Sequence, residues 1–379
     1  MLRGLNFNVG PADGVYFNYL PRGLTPRAGT PPRITPYGAF AHCNSSDNED
    51  DGLAVKVVRG SSSPQRIDET FMANKVLKAS EETPHPNLLA RYPASDRFPA
   101  APGTLVSITR WLNGGTLLSV LEKARSTRTD IPLQDVLRYT MDVVSGVAHL
   151  HTRLGYAHLD IRLRNIILHS ARSGDVSCAV VVDFGCSVAI GDDGIATVTR
   201  RGKDLYMAPE VQIATSPVTI DATRADVYSI GVMLLVLLTG RTPPSAWLRR
   251  TSECDLAKEL ASHWPERCGS GRAELIASMV SENPASRPTP KAVASHLGLA
   301  WLQQGACVEG TQVLEAGAGA GAGAEVGGGA GAGAGAGSAI GGVAGNNDLG
   351  DDIIGSDELL LAFIREVPSP QPAGAHQEV

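Results

Sequence analysis

From His158 to Asn165 the chain reads His158-Leu159-Asp160-Ile161-Arg162-Leu163-Arg164-Asn165, and the apolar run Ile166-Ile167-Leu168 follows at once. A second β-like run, Ala179-Val180-Val181-Val182, ends in Asp183-Phe184-Gly185. Two short apolar runs separated by a polar stretch predict a hairpin, with Ser173-Gly174-Asp175 at the tip of a long turn. Upstream, residues 133–154 carry Val136, Leu137, Met141, Val144, Val147, Ala148 and Leu150 mostly at helical spacing. That pattern predicts a long helix delivering the loop. Two carboxylates and an amide, presented by a loop and a strand end, form an oxygen-rich set suited to Mg²⁺ beside a hydroxyl nucleophile.

The loop resembles the H-R-D-L-x-x-x-N catalytic loop of the protein kinase family, and Asp183-Phe184-Gly185 is identical to its D-F-G motif. Further matches follow in family order. Leu53-Ala54-Val55-Lys56-Val57-Val58 resembles the V-A-I-K strand, and Thr109 to Leu117 resembles the hinge with its Gly114-Gly115 turn. His85-Pro86-Asn87 precedes the hinge; Tyr206-Met207-Ala208-Pro209-Glu210 reproduces the A-P-E ending. Asp226 heads a D-x-W-S-x-G-like segment, and Asn283 to Pro288 is similar to the d-P-x-x-R-P ending.

The resemblance covers about residues 35–302 and implies an α+β, bilobal kinase-like fold. It divides residues 31–303 into a small β-rich lobe (31–109), a hinge (110–115) and a larger helical lobe (116–303). It implies ATP and Mg²⁺ as cofactors and transfer of the γ-phosphoryl group to Ser/Thr hydroxyls of protein substrates. In that scheme Asp160 accepts the hydroxyl proton, Arg162 stabilises the transferring charge, and Asn165 and Asp183 hold Mg²⁺. Lys56 pairs the α- and β-phosphates. Gly38, Ala39, Phe40, Ala54, Thr109, Arg110, Leu112 and Ile167 line the nucleotide, with main-chain groups of Arg110 and Leu112 on the adenine edge. Arg287 is expected to pair with Glu210 and lock the large lobe, and Asp226 to brace the catalytic loop.

Several positions depart from the family pattern. Where the Gly-rich loop belongs, Thr35 to Cys43 places Pro36, Gly38 and Ala41 at the three glycine positions. Small residues there let backbone N–H groups approach phosphates, and proline removes one N–H. In the helix predicted over 67–79, Ala73 stands where the family has the Glu that pairs with Lys56. Glu69 lies one turn earlier on the same face and replaces it if the helix shifts by a turn, about 5.4 Å; otherwise Lys56 has no such partner. Leu159 replaces an Arg that grips activation-segment phosphate, and Leu cannot pair with phosphate. Arg162 keeps the charge of the usual Lys. Lys203 stands where a Thr is usual, free to pair with Asp160 or to reach a substrate. Thr197 and Thr199 are candidate phosphosites in a segment read as a loop. These departures support an alternative, a pseudokinase scaffold acting through protein–protein contacts.

A kinase fold of roughly 250–300 residues leaves tails within the 379-residue chain. Residues 1–30 read as an irregular Gly/Pro/Arg-rich leader, with no apolar core of a signal peptide in its first ten residues. Residues 304–355 hold a nearly pure Gly/Ala tract, a flexible spacer by composition. In the 356–379 tail, Leu359, Leu360, Phe363, Ile364 and Val367 form one face of a short helix capped by Ser356. Over 356–367 it is expected to dock on this domain or on a partner. The net charge of −6 gives no reason to expect nucleic acid or an anionic membrane as partner. Six cysteines without C-x-x-C spacing argue against zinc and fit reduced thiols in a cytoplasmic or nuclear setting. The longest apolar run, Ile230 to Leu238, is too short to span a bilayer and reads as a buried core helix.

Overall fold

The computed structural model describes residues 24–26, 33–35, 38–45, 52–59, 64–93, 95–98, 104–170, 177–199, 205–214, 217–243, 248 and 251–303. The expected tail helix at 356–367 and Lys203 lie outside them.

Five strands build the small lobe: β1 (Leu24–Pro26), β2 (Arg33–Thr35), β3 (Gly38–Ser45), β4 (Gly52–Arg59) and β5 (Thr104–Arg110). They form one antiparallel sheet in the order β1-β3-β4-β5, with β2 also on β3. Alternation along β4 sorts its side chains between two faces. Leu53, Val55 and Val57 enter an outer cluster with Leu24, Cys43, Phe98 and Ile108, while Lys56 is exposed on the opposite face. Burial pushes the Cys43 thiol up to about 12, so this cysteine behaves as a small hydrophobe. Helix α1 (Pro64–Glu82) connects β4 to β5 and buries Ala73, Val76 and Leu77.

The leader expected to be irregular over 1–30 contributes β1, whose Leu24 stands opposite Ser45 and is buried. A three-residue strand ending in proline carries too little alternation to announce itself. It forms because Leu24 completes the outer cluster.

The large lobe opens at Thr116, whose side chain accepts from Ser119 N (3.1 Å) and caps α2 (Leu117–Thr127). α3 (Leu133–His149) runs into a single π turn, Leu150–Leu154. There follow β6 (Tyr156–Ala157), β7 (Ile166–His169), β8 (Cys178–Val181), β9 (Val188–Ala189) and β10 (Ile195–Val198). Next come α4 (Pro209–Gln212), β11 (Val218–Asp221), α5 (Ala222–Thr239), α6 (Glu253–His263), α7 (Pro265–Met279) and α8 (Pro290–Gln303). β7 and β8 form the expected hairpin, with Ile166 opposite Val181. α5 has the length and apolarity to cross a membrane, yet 89% of it is buried inside the protein; it is the core helix that the apolar run predicts.

The lobes join at the glycine turn. Gly114 N donates to Leu168 O and Leu168 N to Gly115 O, both at 2.8 Å. A Cβ on Gly114 would sit 2.7 Å from Leu168 O, so only glycine permits this approach.

Candidate active site

Asp226, in the first turns of α5 and fully buried, holds the 158–165 loop. Its Oδ2 accepts from His158 N (2.7 Å) and meets His151 Nε2 at 2.8 Å; its Oδ1 accepts from Leu159 N (2.8 Å). A buried carboxylate is tolerable only with such partners. Leu159 sits in the left-handed region at φ 58°, which costs an L-residue about 1–2 kcal/mol. The charge-assisted bonds from Asp226 offset that cost. The Leu159 side chain is buried in the core. His158 is fully buried, with Nε2 3.1 Å from Val182 O and its ring tilted against Phe184 at 5.4 Å.

Asp160 follows with its side chain only 10% exposed. Asn165 Nδ2 donates to both Asp160 O (2.8 Å) and Asp160 Oδ2 (2.7 Å). Arg162 Nε approaches the same Oδ2 to 3.2 Å. This is an ion pair and not an aligned hydrogen bond, because that buried Nε lacks a hydrogen-bond partner of good geometry. Burial pushes the Asp160 carboxyl above the usual range; Arg162, His158 and the Asn165 bond pull in the opposite direction without cancelling it. Asn165 O in turn accepts from Val182 N (2.9 Å), which ties the loop to the strand carrying Asp183.

Asp183 is also left-handed (φ 66°, ψ 71°). Its Oδ1 lies 3.9 Å from Lys56 Nζ, both side chains about half exposed (46% and 47%). Phe184 is buried. Helix α1 meets this segment through Glu69: a Cβ on Gly185 would be 3.4 Å from Glu69 Cβ. The Glu69 carboxylate accepts from Gln65 Nε2 (3.0 Å) and forms no ion pair with Lys56, and Ala73 is buried. Among the described residues, Lys56 pairs with Asp183 and with no carboxylate of α1. Of the two possibilities left open by the sequence, the structure takes the second.

Strand register fixes the roof of the cleft. Ala54 stands between His42 on β3 and Thr109 on β5; Lys56 stands between Phe40 and Ser107. In the backbone register, Ala39 stands opposite Val57 and Ala41 opposite Val55. Pro36 and Tyr37 lie outside the described residues. The residue opposite Ala54 is His42, which sequence reasoning passed over. Its ring is stacked on Trp111, with centroids 4.0 Å apart and planes within 3°. Trp111 N donates to Gly52 O (2.8 Å), extending the β4–β5 pairing by one residue into the expected hinge. Arg110 ends β5 and is exposed, Leu112 is half-buried, and Ile167 forms a β-bridge with Thr116.

Beyond Gly185, β9 pairs with β6, and β10 pairs with β11 with Thr197 opposite Thr219. Thr197 Oγ1 is 3.2 Å from Thr219 Oγ1. Thr197, expected in a loop, therefore belongs to a strand, because β11 offers it a partner distant in sequence; Thr199 follows the strand end. Arg287 and Glu210 form the expected pair, a fork at 2.7 and 2.8 Å. Arg287 is 1% exposed, also donates to Ser281 O (2.8 Å), and lies over the Tyr228 ring at 5.0 Å.

The family model of the protein kinase domain matches residues 37–298. Mitogen-activated protein kinase kinase kinase 8 of Rattus norvegicus is 30% identical over 195 residues, 49% of this chain and 38% of that protein. Serine/threonine-protein kinase CHK1 of Saccharomyces cerevisiae is 30% identical over 213 residues, 54% and 38% of the two chains. Mitogen-activated protein kinase kinase kinase ANP1 of Arabidopsis thaliana is 27% identical over 271 residues, 68% and 38%. The chain thus matches well under half the length of each of these three relatives. With the family model matching well over half of the chain, and with its ordered residues set out in space as above, the chain belongs to the protein kinase domain family.

Proposed function

We propose that this chain transfers the γ-phosphoryl group of ATP to Ser/Thr hydroxyls of protein substrates. The observation that carries the proposal is Asp160. Both side-chain contacts of its carboxylate, from Asn165 and Arg162, go to Oδ2. Among the described residues that leaves Oδ1 for a substrate hydroxyl. Burial raises its proton affinity, which suits a group that must take a proton near neutral pH. Arg162, beside it, opposes negative charge as it develops on the transferring group.

The residues present fit the cofactors. Asn165 and Asp183 supply only oxygen donors, the chemistry Mg²⁺ prefers, and Lys56 brings a cation within 3.9 Å of Asp183. When bound, ATP with Mg²⁺ supplies the phosphoryl group and neutralises its charge. In this reading Ala54, Thr109, Ile167 and the backbones of Arg110 and Leu112 hold the adenine, while Gly38, Ala39 and Phe40 approach the phosphates. Ser/Thr specificity is supported by the printed name of the Saccharomyces cerevisiae relative, a serine/threonine-protein kinase, and by the Tyr206-Met207-Ala208-Pro209-Glu210 segment.

One observation favours a second reading, a pseudokinase scaffold: Lys56 has no carboxylate partner on α1. A single comparison separates the two. Purified wild type and Asp160→Asn are incubated with Mg²⁺, γ-labelled ATP and a mixed Ser/Thr/Tyr peptide pool, and nucleotide-induced thermal shifts are recorded alongside. Wild type is expected to label Ser/Thr. Asp160→Asn is expected to lose about 10²–10⁴-fold in rate while keeping its thermal shift. Equal transfer by both proteins would remove Asp160 as the base, and a shift without transfer in wild type would select the scaffold.

A further inference from the structure

The loop that carries Asp160 sorts its side chains between the core and the cleft. Ile161, Leu163 and Asn165 are buried, which leaves Arg162 and Arg164 as the side chains directed outward. Arg162 is half-buried and lies 3.2 Å from Asp160 Oδ2. Arg164 is exposed and forms no hydrogen bond or ion pair among the described residues.

A third guanidinium comes from α2, which packs beside the Leu163–Asn165 turn. Arg125 is exposed, and its Nε donates to Gly240 O at 2.8 Å. That bond ties the side chain to the end of α5 and leaves its terminal nitrogens without a partner among the described residues. The three groups converge on Tyr206. Its carbonyl accepts from Ser229 Oγ on α5 (2.7 Å), and the following Met207 and Ala208 are buried. Burial pushes the Tyr206 hydroxyl up to about 12, while the charges of Arg125, Arg162 and Arg164 all pull the other way.

This concentration of positive charge stands out in a chain of net charge −6. Like charges held together repel one another, and an anion that enters among them relieves the repulsion. Among the described residues, Asp160 is the carboxylate paired with the cluster, and it serves Arg162. Arg125 and Arg164 face solvent unopposed. Arginine is the side chain best shaped to hold a carboxylate or a phosphate, through two parallel N–H···O bonds.

We infer that Arg164 and Arg125 form a subsite for an anionic side chain of the protein substrate, a carboxylate or a phosphate close in sequence to the accepting hydroxyl. A substrate whose hydroxyl meets Asp160 Oδ1 brings its neighbouring residues to the outward face of the same loop, where Arg164 stands. Acidic or already phosphorylated flanks are then favoured over basic ones, by attraction during encounter and by bonds in the complex. This choice of substrate rests on the kinase reading; the capacity of the pair to bind an acidic peptide does not.

The test uses the full chain and a serine peptide in which each neighbouring position, on both sides of the serine, is in turn Gln, Glu, phosphoserine or Lys. Wild type, Arg164→Glu, Arg164→Lys and Arg125→Glu are assayed for kcat/KM with Mg²⁺ and ATP. Binding of the same peptides, with the accepting serine changed to alanine, is read in parallel by fluorescence anisotropy. At one or more positions wild type is expected to prefer Glu to Gln by about tenfold, and Arg164→Glu to reverse that order and favour Lys. Each protein is judged by its own ratio between peptides, so a general loss of activity does not imitate the result, and a gain on the Lys peptide shows that the variant is folded. Arg164→Lys should keep the preference at a smaller ratio, because lysine lacks the fork, and Arg125→Glu should lower it severalfold. Phosphoserine favoured over Glu would assign the subsite to phosphate; Glu equal or better would assign it to carboxylate. Equal Glu-to-Gln ratios in wild type and Arg164→Glu at every position, or a wild-type preference for Lys, would overturn the subsite and leave the kinase reading intact. Acidic-peptide binding that Arg164→Glu abolishes, with no transfer by any form of the protein, would keep the subsite and remove the kinase reading alone.

Discussion

Two ion pairs separate the lobes in character. Arg287 and Glu210 meet in a fork at 2.7 Å with the arginine side chain fully buried, and further carbonyls take up the remaining guanidinium donors. Lys56 and Asp183 meet at 3.9 Å with both partners about half exposed. The first pair cannot be opened without stranding a charge in the core. The second is solvated and readily exchanged for water or for a ligand. The large lobe is thus locked by its own residues, whereas Lys56 on the small lobe meets Asp183 through a contact open to solvent.

The difference can be attacked from both ends. Arg287→Ala should cost about 3–5 kcal/mol of unfolding free energy, because Glu210 loses its partner; denaturant titration reads this directly. If the loss were under 1 kcal/mol, the two pairs would not differ in kind. Asp226→Ala strips acceptors from His158 N and Leu159 N, at about 1–3 kcal/mol for each buried donor left unsatisfied. It should also release the left-handed Leu159 and reduce phosphotransfer more than it reduces nucleotide affinity. Lys56→Met should shift stability by less than about 1 kcal/mol, yet weaken the nucleotide-induced thermal shift. A large stability loss there would mean that the open pair supports the fold after all.

The smallest expected effect is a pH dependence. Burial holds the Asp160 carboxyl above its unfolded value, so between the two values the native state binds more protons than the unfolded chain. Stability from this group therefore falls as pH rises through that window. Ionised Asp160 is a modest burden at neutral pH, and Asp160→Asn should raise Tm there while making little difference well below the window. Transfer by wild type should correspondingly fade on the acid side at a pH above that of an ordinary carboxylate.

Much of this was legible in the chain. The loop, the hairpin behind it, Asp226 and the Arg287–Glu210 pair declared themselves because each joins a distinctive residue to a fixed local pattern. What the sequence concealed were matters of register and distant pairing. The register of β3 on β4, which sets His42 opposite Ala54, is not fixed by a motif with one surviving glycine. β1 and the β10–β11 pair depend on partners far along the chain, which local propensity does not see. The absence of a Lys56–Glu69 pair is likewise a fact of where α1 lies, not of its residues.

The stacked rings at the hinge carry a consequence on another timescale. A Cβ at position 52 would come within 2.5 Å of His42 Nε2 and 3.2 Å of Trp111 Cβ. His42 and Trp111 can lie flat on one another only over glycine. These three positions should therefore be inherited as a unit: in descendants of this sequence, a side chain gained at 52 should be accompanied by loss of one of the rings, and the trio should drift together while its neighbours vary independently.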